Sequence, residues 1–417
     1  MQDNLYTLAI MRNKQAGIGF IFVTLLLDVT GLGIIIPVLP KLIADLRGIP
    51  INEASESGGL LIASFAIAQF LFSPILGNLS DRYGRRPVLL FSMFGFSIDY
   101  LIMAFAPTYA WLVIGRILSG ITGASFTTAS AYIADISDDS NRAKNFGMIG
   151  AAFGAGFVLG PVIGGFCAEF GERTPFFLAS ALCLLNFFYG YFVLPESLKQ
   201  ENRRAFDWKK ANPVSTFRTL VNYKSIAGLL AAYTLIFLGG HAVQSNWNYY
   251  TIYRFNWSPK EVGISLAAVG VLVGAIQGGL TKFTSKWLGN ERSVYVGLSL
   301  YTIGMILFAS ATQSWMMYAF LIPYCLGGIC GPSLQALMSK GVPPTHQGAL
   351  QGGLTSLMSI TSIFGPMLMT GLFTYYTKKE SNHPIIPGAP FYAGAILVCG
   401  AAIITWWDLH WKKRNSN

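Results

Sequence analysis

The sequence predicts an all-α integral membrane protein of twelve transmembrane helices, arranged as two pseudo-symmetric six-helix bundles. Three observations predict it. Of 417 residues, 53% are hydrophobic and only 12% charged, where soluble domains carry about 25% charged residues. The apolar residues fall into long stretches, and helices satisfy their own backbone groups in lipid, which an open sheet edge cannot do. The second half of the chain repeats landmarks of the first.

A helix needs about 20 mostly apolar residues to cross the hydrocarbon core. The first such stretch, 15–38, is long enough to span and is followed by no small-residue cleavage site, so it reads as a helix rather than a signal peptide. It holds Asp28, then Gly31, Gly33, Pro37 and Pro40. The second stretch, 57–77, holds Gln69, and the third, 88–106, has Asp99 near its middle. The fourth, 111–132, spaces Leu112, Arg116, Gly120 and Ala124 by four, placing one arginine on a small-residue face. The fifth, 146–169, carries Gly150, Gly154, Gly156, Gly160, Pro161, Gly164 and Gly165. Such glycines allow close helix packing, and the proline adds a kink. The sixth is 175–194.

Residues 195–223 form the long charged connection, with seven basic residues counted through Lys224. It separates an N-terminal bundle, 1–195, from a C-terminal bundle, 224–417, with 196–223 as a cytoplasmic linker. The second-half stretches are 224–248, 261–281, 293–311, 315–339, 348–373 and 390–409. The seventh is polar toward its outer end: His241, Gln244, Asn246, Trp247, Asn248, Tyr249 and Tyr250. An aromatic belt at the membrane interface accounts for Tyr250 and Trp257. It accounts poorly for His241 and Asn246, which suit a cavity, although His241 also reads as a hydrogen-bonded structural histidine. Gln277 and Gln351 are further cavity candidates. No acidic residue is counted within a second-half helix.

The repeat supports the division. Gly147 and Gly160-Pro161 recur 205 residues later as Gly352 and Gly365-Pro366, and Gly120-Ile-x-Gly123 recurs as Gly328-Ile-x-Gly331. Internal repeats around a central site are a feature of transporters that rock one bundle against the other.

Placing the N-terminus inside puts 21 of the 29 basic residues on cytoplasmic segments and seven on outer loops, with Arg116 in a helix. This asymmetry sets both termini in the cytoplasm and accounts for the net charge of +10 without a nucleic-acid partner. The five cysteines lie in apolar stretches without metal or disulfide spacing and read as small core residues. The four histidines are scattered, and no G-x-x-x-x-G-K-[ST] loop occurs. No cofactor or metal, no ATP-driven step and no enzyme chemistry is therefore expected.

The intramembrane charges carry the chemistry. A carboxylate at the bilayer centre costs about 2.5–3.5 kcal/mol on insertion scales, so Asp28 and Asp99 need partners or a wet cavity. Asp28 and Arg116 read either as a structural ion pair or as groups coupling proton binding to cavity shape. A second cluster is the loop Gly77-x-x-x-Asp81-Arg82-x-Gly84-Arg85-Arg86. Its arginines alone suit a positive-inside anchor. Asp81, held in a tight turn, can sit at a neighbouring helix N-terminus or pair with arginines, forming a latch made in one conformation only.

That loop resembles the signature of the major facilitator superfamily. The glycine run of the fifth stretch is similar to the antiporter signature of the drug:proton branch. The strings SDRYGRRPVLL, GRILSGITGA, NFGMIGAAFGAGFVLGPVIGGF and HQGALQGGLTSL resemble the tetracycline efflux family over nearly the whole chain. The resemblance implies export of a small amphipathic organic compound against inward proton flow, in a bacterial inner membrane, by a chain that works as a monomer. Asp99 matches the family's position in helix three and joins Asp28 and Arg116 as a proton-coupling candidate. The resemblance adds Asp135 and Arg142 to the latch, and makes Gly154, Gly160, Pro161, Gly164, Gly365 and Pro366 hinge positions. It also aligns Trp247, Thr251, Arg254, Phe255 and Trp257. Where the best-known tetracycline exporters carry a histidine in helix eight and an acid in helix nine, this chain has Val273 and Tyr301, and Tyr301 joins the cavity candidates. Exporters of an endogenous metabolite or siderophore, uniporters and non-transporting receptors are the alternatives.

Overall fold

The computed structural model describes residues 2–123, 125–138, 141–208, 226–343, 347–378 and 384–415. Among them there is no strand, and twelve helices are long and apolar enough to cross a membrane. In the first half these are α1 (Gly17–Ile35), α2 (Ile51–Tyr83), α3 (Arg85–Phe105), α4 (Tyr109–Ile136), α5 (Lys144–Phe170) and α6 (Thr174–Val193). The second half contributes α7 (Ala227–Phe255), α8 (Pro259–Leu280), α9 (Gly289–Ser310), α10 (Ser314–Lys340), α11 (Leu350–Thr377) and α12 (Ala389–His410). Each lies on an expected stretch. Ala124 and the linker residues 209–223 lie outside the described residues.

The helix ends correct the reading in two places. α7 runs on to Phe255 and stops at Asn256, whose φ of 54° is the left-handed cap that lets a chain leave a helix. His241 to Tyr250 therefore lie well inside the helix rather than at its end. α8 starts with a capping box: Ser258 Oγ accepts from Glu261 N at 3.3 Å, and Ser258 N donates to Glu261 Oε2 at 2.8 Å. Glu261 of α8, Glu291 of α9 and Asp408 of α12 are thus acids within second-half helices, against expectation. All three sit near helix ends, and in the first turns of α8 and α9 the helix dipole favours them.

The chain forms two compact units. The first comprises Met1–Val38 and Ile67–Asn212; the second comprises Leu39–Ala66 and Pro213–Asn417. In the first, α1 packs against α5 through glycine. A Cβ at Gly33 would lie 2.8 Å from Pro161 Cδ, and one at Gly160 would lie 2.6 Å from Thr30 O. Near the N-terminal end of α1, Phe20, Ile21 and Leu25 join Leu89 and Met93 of α3, Tyr132 and Ile133 of α4 and Ile149 of α5 in a buried core.

In the second unit α7 packs on α11 and α12. The N-terminal part of α2 belongs here as well. Asn52 Nδ2 donates to Thr377 O at 3.1 Å, Thr374 Oγ1 donates to Asn52 O at 3.0 Å, and the Ser55 and Thr374 hydroxyls lie 2.9 Å apart. Cys183, Cys325 and Cys330 are buried, but Cys399 is exposed and is not a core residue.

Candidate functional site

The acid of α1 lies in the heart of the first unit. Asp28 is 5% exposed, and its polar neighbours are an amide and a hydroxyl. Asn186 of α6 donates through Nδ2 to Asp28 Oδ1 at 3.4 Å, and Ser125 of α4 faces the same carboxylate. Among the described residues Oδ2 has no hydrogen-bond partner. Asn186 is in turn fixed by Thr24, one turn earlier on α1. The Thr24 hydroxyl donates to Asn186 Oδ1 at 3.3 Å, and Asn186 Nδ2 also reaches Thr24 O at 3.3 Å.

Arg116 does not pair with Asp28. Its Nη2 donates to Oδ2 of Asp99 on α3, and both residues are buried. Arg116 also lies over the Tyr100 ring, 5.6 Å from its centroid. Of the two readings of Asp28 and Arg116, the structural ion pair is not formed: Arg116 pairs with Asp99 instead. Both members face the same α3–α4 interface, where Asp99 Oδ1 lies 2.7 Å from the position a Cβ on Gly115 would take. Gln69 of α2 packs on the other end of α4's first segment and donates to Gly123 O at 3.2 Å.

The loop between α2 and α3 forms a compact cluster around Arg85, which is 8% exposed. Its Nη1 bonds Asp81 Oδ1 at 2.5 Å and Ser80 Oγ at 3.0 Å, and its Nε bonds Asp135 Oδ2 at 3.0 Å. Gly84, at φ 109°, makes the turn that lets Asp81 and Arg85 face one another. The carboxylate at the α3 N-terminus is not Asp81 but Glu196. Its Oε1 accepts from Arg85 N at 2.8 Å and its Oε2 from Arg86 N at 3.2 Å, where the helix dipole favours an anion. Ser197 Oγ donates to Asp135 Oδ2 at 3.0 Å. Arg82 lies over the Tyr83 ring, and Arg86 donates to Tyr191 O at 2.6 Å. Arg142 is exposed at the start of its helix and does not join this cluster. Gly77 has no atom within 4 Å of where a Cβ would be, so packing does not require it.

In the second unit the polar residues of α7 divide. His241 is buried and its ring packs against Gly365 of α11. Trp247 donates to Ser265 Oγ of α8 at 2.9 Å and meets Phe308 edge-on with centroids 5.1 Å apart. Tyr250 donates to Phe308 O at 3.0 Å, and Trp257 bonds Ser314, so these aromatics are core and not an interface belt. Asn246, fully buried, donates to Ala242 O at 3.3 Å and keeps Oδ1 without a partner. Gln244 is exposed. Tyr301 of α9 and Tyr324 of α10 stack at 4.7 Å with their hydroxyls 3.0 Å apart.

Gln277 lines a cleft of about 470 Å³ with Thr281, Asn290 and Ser333, beside the π-helical turn Ile276–Leu280. Gln351 accepts from Gln335 at 2.9 Å across α10 and α11. Of the hinge positions, Gly160, Pro161 and Gly164 press on α1, and Pro366 O accepts from Thr370 at 2.7 Å. Gly154 has open space around it.

Comparison with known proteins agrees with this architecture. The profile of the Major Facilitator Superfamily matches residues 21–366 and 252–414. The chain belongs to the major facilitator superfamily. This facilitator is 40% identical to the tetracycline resistance protein, class C, of Escherichia coli, over 91% of its own chain and 94% of the relative. It is 37% identical to the class E protein of Escherichia coli, covering 90% and 92% of the two chains. Its fold is similar to that of a D-xylose-proton symporter, with a TM-score of 0.75 at 18% identity over 94% and 97% of the chains. It is a multi-pass membrane transporter.

Sequence reasoning missed Asn186, Ser125 and Glu196 in this facilitator. The signals were present. Asn186 is a lone amide in the run LCLLNFFYG, and Glu196 is the first acid after α6.

Proposed function

We propose that this facilitator exports a small amphipathic organic compound in exchange for protons, by alternating access, with Asp28 as the proton-carrying group. The observation that carries the reading is the division of charge in the first unit. Asp99 and Arg116 neutralise each other, and among the described residues no cation is paired with Asp28. An acid buried without a counter-charge is costly when ionised in a membrane and is suited to taking up and releasing a proton. The names of the relatives, tetracycline resistance proteins, support a drug-like cargo.

Asp99 and Arg116 hold the cavity wall beside the acid. The repeat makes residues 1–195 and 224–417 the two moving bundles and 196–223 their linker. The distribution of basic residues supports cytoplasmic termini, the bacterial relatives support an inner-membrane location, and the chain works as a monomer. Alternating access asks that some contacts exist in one state only. The hydrogen bonds of Asn52 and Ser55 with α11 and the Asp81–Arg85–Asp135 cluster are the candidates. Cargo is assigned to the second-half residues around Gln277, Asn246 and the Tyr301–Tyr324 stack. With Val273 and Tyr301 where the best-known exporters carry a histidine and an acid, an endogenous metabolite is the second reading for the cargo.

The test is transport into inverted membrane vesicles under an imposed pH gradient, across a panel of amphipathic compounds including tetracycline. Asp28→Asn is expected to abolish uphill accumulation while leaving part of downhill exchange. Undiminished accumulation by that variant overturns the assignment.

A further inference from the structure

Asn186 is held in one orientation by Thr24. The amide oxygen accepts the Thr24 hydroxyl at 3.3 Å, so the amide nitrogen is the end that faces Asp28, at 3.4 Å. Thr24 and Asn186 are both 0% exposed. Water therefore does not compete for these groups, and a buried amide can turn over only by losing the Thr24 bond. The contacts lie at the long end of hydrogen bonding. An N–H donor stabilises the ionised carboxylate over the protonated acid.

Of the other groups near Asp28, only the Ser125 hydroxyl of α4 also bonds the carboxylate. From α3 comes Tyr100 and from α6 Cys183, both set against Gly31 one turn along α1. From α4 come Ser125 and Arg116, the latter committed to Asp99. From α5 come Gly156 and Gly160, which press on Leu26, Val29 and Thr30 and bear no titratable group.

We propose that Asn186, oriented by Thr24, is a positioning residue for proton release from Asp28: beside the Ser125 hydroxyl, it supplies the amide hydrogen bond that makes the ionised carboxylate accessible within the helix bundle. This rests on Asp28 being the proton-carrying group. A helix-packing role for Asn186 predicts a different result, because packing alone does not distinguish the two protonation states of Asp28.

The experiment measures protonation directly and needs no cargo. Infrared difference spectra of the full chain in liposomes, taken as pH is varied, report the C=O stretch of a protonated carboxyl, and the band missing in Asp28→Asn belongs to Asp28. In Asn186→Leu this band is expected to persist to higher pH, its midpoint moved by about one unit, or about tenfold in proton affinity. Thr24→Val moves it the same way and less. Asn186→Ser, which keeps a donor, restores part of the shift. Ser180→Ala, which removes a hydroxyl on the same helix as Asn186 that is bonded to Ser97 of α3, leaves it in place. An unmoved midpoint in Asn186→Leu overturns the role of Asn186 while Asp28 keeps its own. If no titrating band disappears in Asp28→Asn, the assignment of Asp28 falls, and this proposal with it.

Discussion

Arg116 on α4 closes an ion pair with Asp99 on α3, and the Asp99 side chain is fully buried in it. The pair removes the obvious cation from the neighbourhood of Asp28. It also makes Asp99 and Arg116 dependent on one another. Removing one partner of a buried pair leaves an uncompensated charge, at a cost of about 3–5 kcal/mol.

Asp99→Asn and Arg116→Gln are therefore each expected to lower the amount of folded protein and its thermal midpoint in detergent. The double variant Asp99→Asn/Arg116→Gln removes both charges and should recover part of the loss. Detergent-solubilised unfolding curves of the three variants check this, and simple additivity would show the two residues to be independent.

The twelve helices were legible because a run of about 20 apolar residues has one use in a membrane chain. The pairing of Arg116 was not. Which neighbour a side chain meets depends on the rotation of each helix about its axis, and a step of one residue turns it by about 100°. Asp28 and Asp99 were both within reach on sequence grounds, and packing chose Asp99. The end of α7 was misread because the run from His241 to Tyr250 is polar enough to suggest an interface, whereas Trp247 and Tyr250 spend their polar atoms on Ser265 and Phe308 inside the unit. Glu196 escaped because its role is to accept backbone N–H groups, and those have no sequence signature.

The glycines of α5 look alike in sequence and differ in space. A Cβ at Gly164 would collide with Ile34 O of α1, while at Gly154 it meets nothing within 4 Å. Gly164→Ala is expected to destabilise the protein by about 1–3 kcal/mol, the range for overpacking. Gly154→Ala should be neutral or slightly stabilising, since it only reduces backbone freedom. Unfolding midpoints decide the packing question. If Gly154→Ala is stable but transports poorly, Gly154 is a hinge.

The Tyr301–Tyr324 stack gives the second half its own test. Tyr301→Phe keeps the rings and removes the hydroxyl contact of 3.0 Å. A cargo that hydrogen-bonds there should lose affinity, with KM rising and the maximal rate little changed, because uniform binding is what is lost. Vesicle kinetics with each transported compound of the panel separate the two parameters. A changed maximal rate at constant KM would make the stack part of the conformational step instead.

The Arg85 cluster permits the sharpest test of the latch. Arg85 is buried between Asp81 and Asp135, so either acid alone still offers it a counter-charge. Asp81→Asn and Asp135→Asn should each insert normally and slow transport, since each weakens one contact of a cluster made in one state. The double variant leaves a buried guanidinium with neither acid, and its loss should exceed the product of the single effects. Glu196→Gln separates a further contribution. It keeps one acceptor for the α3 N-terminus but drops the charge favoured by the helix dipole, worth about 0.3–1 kcal/mol, so its effect on transport should be smaller than that of the double variant. Initial rates in vesicles, normalised to protein amount, decide between the two roles of the loop. If Asp81→Asn and Asp135→Asn transport normally singly and together, the arginines serve only as a positive-inside anchor and the carboxylates do not act as a latch.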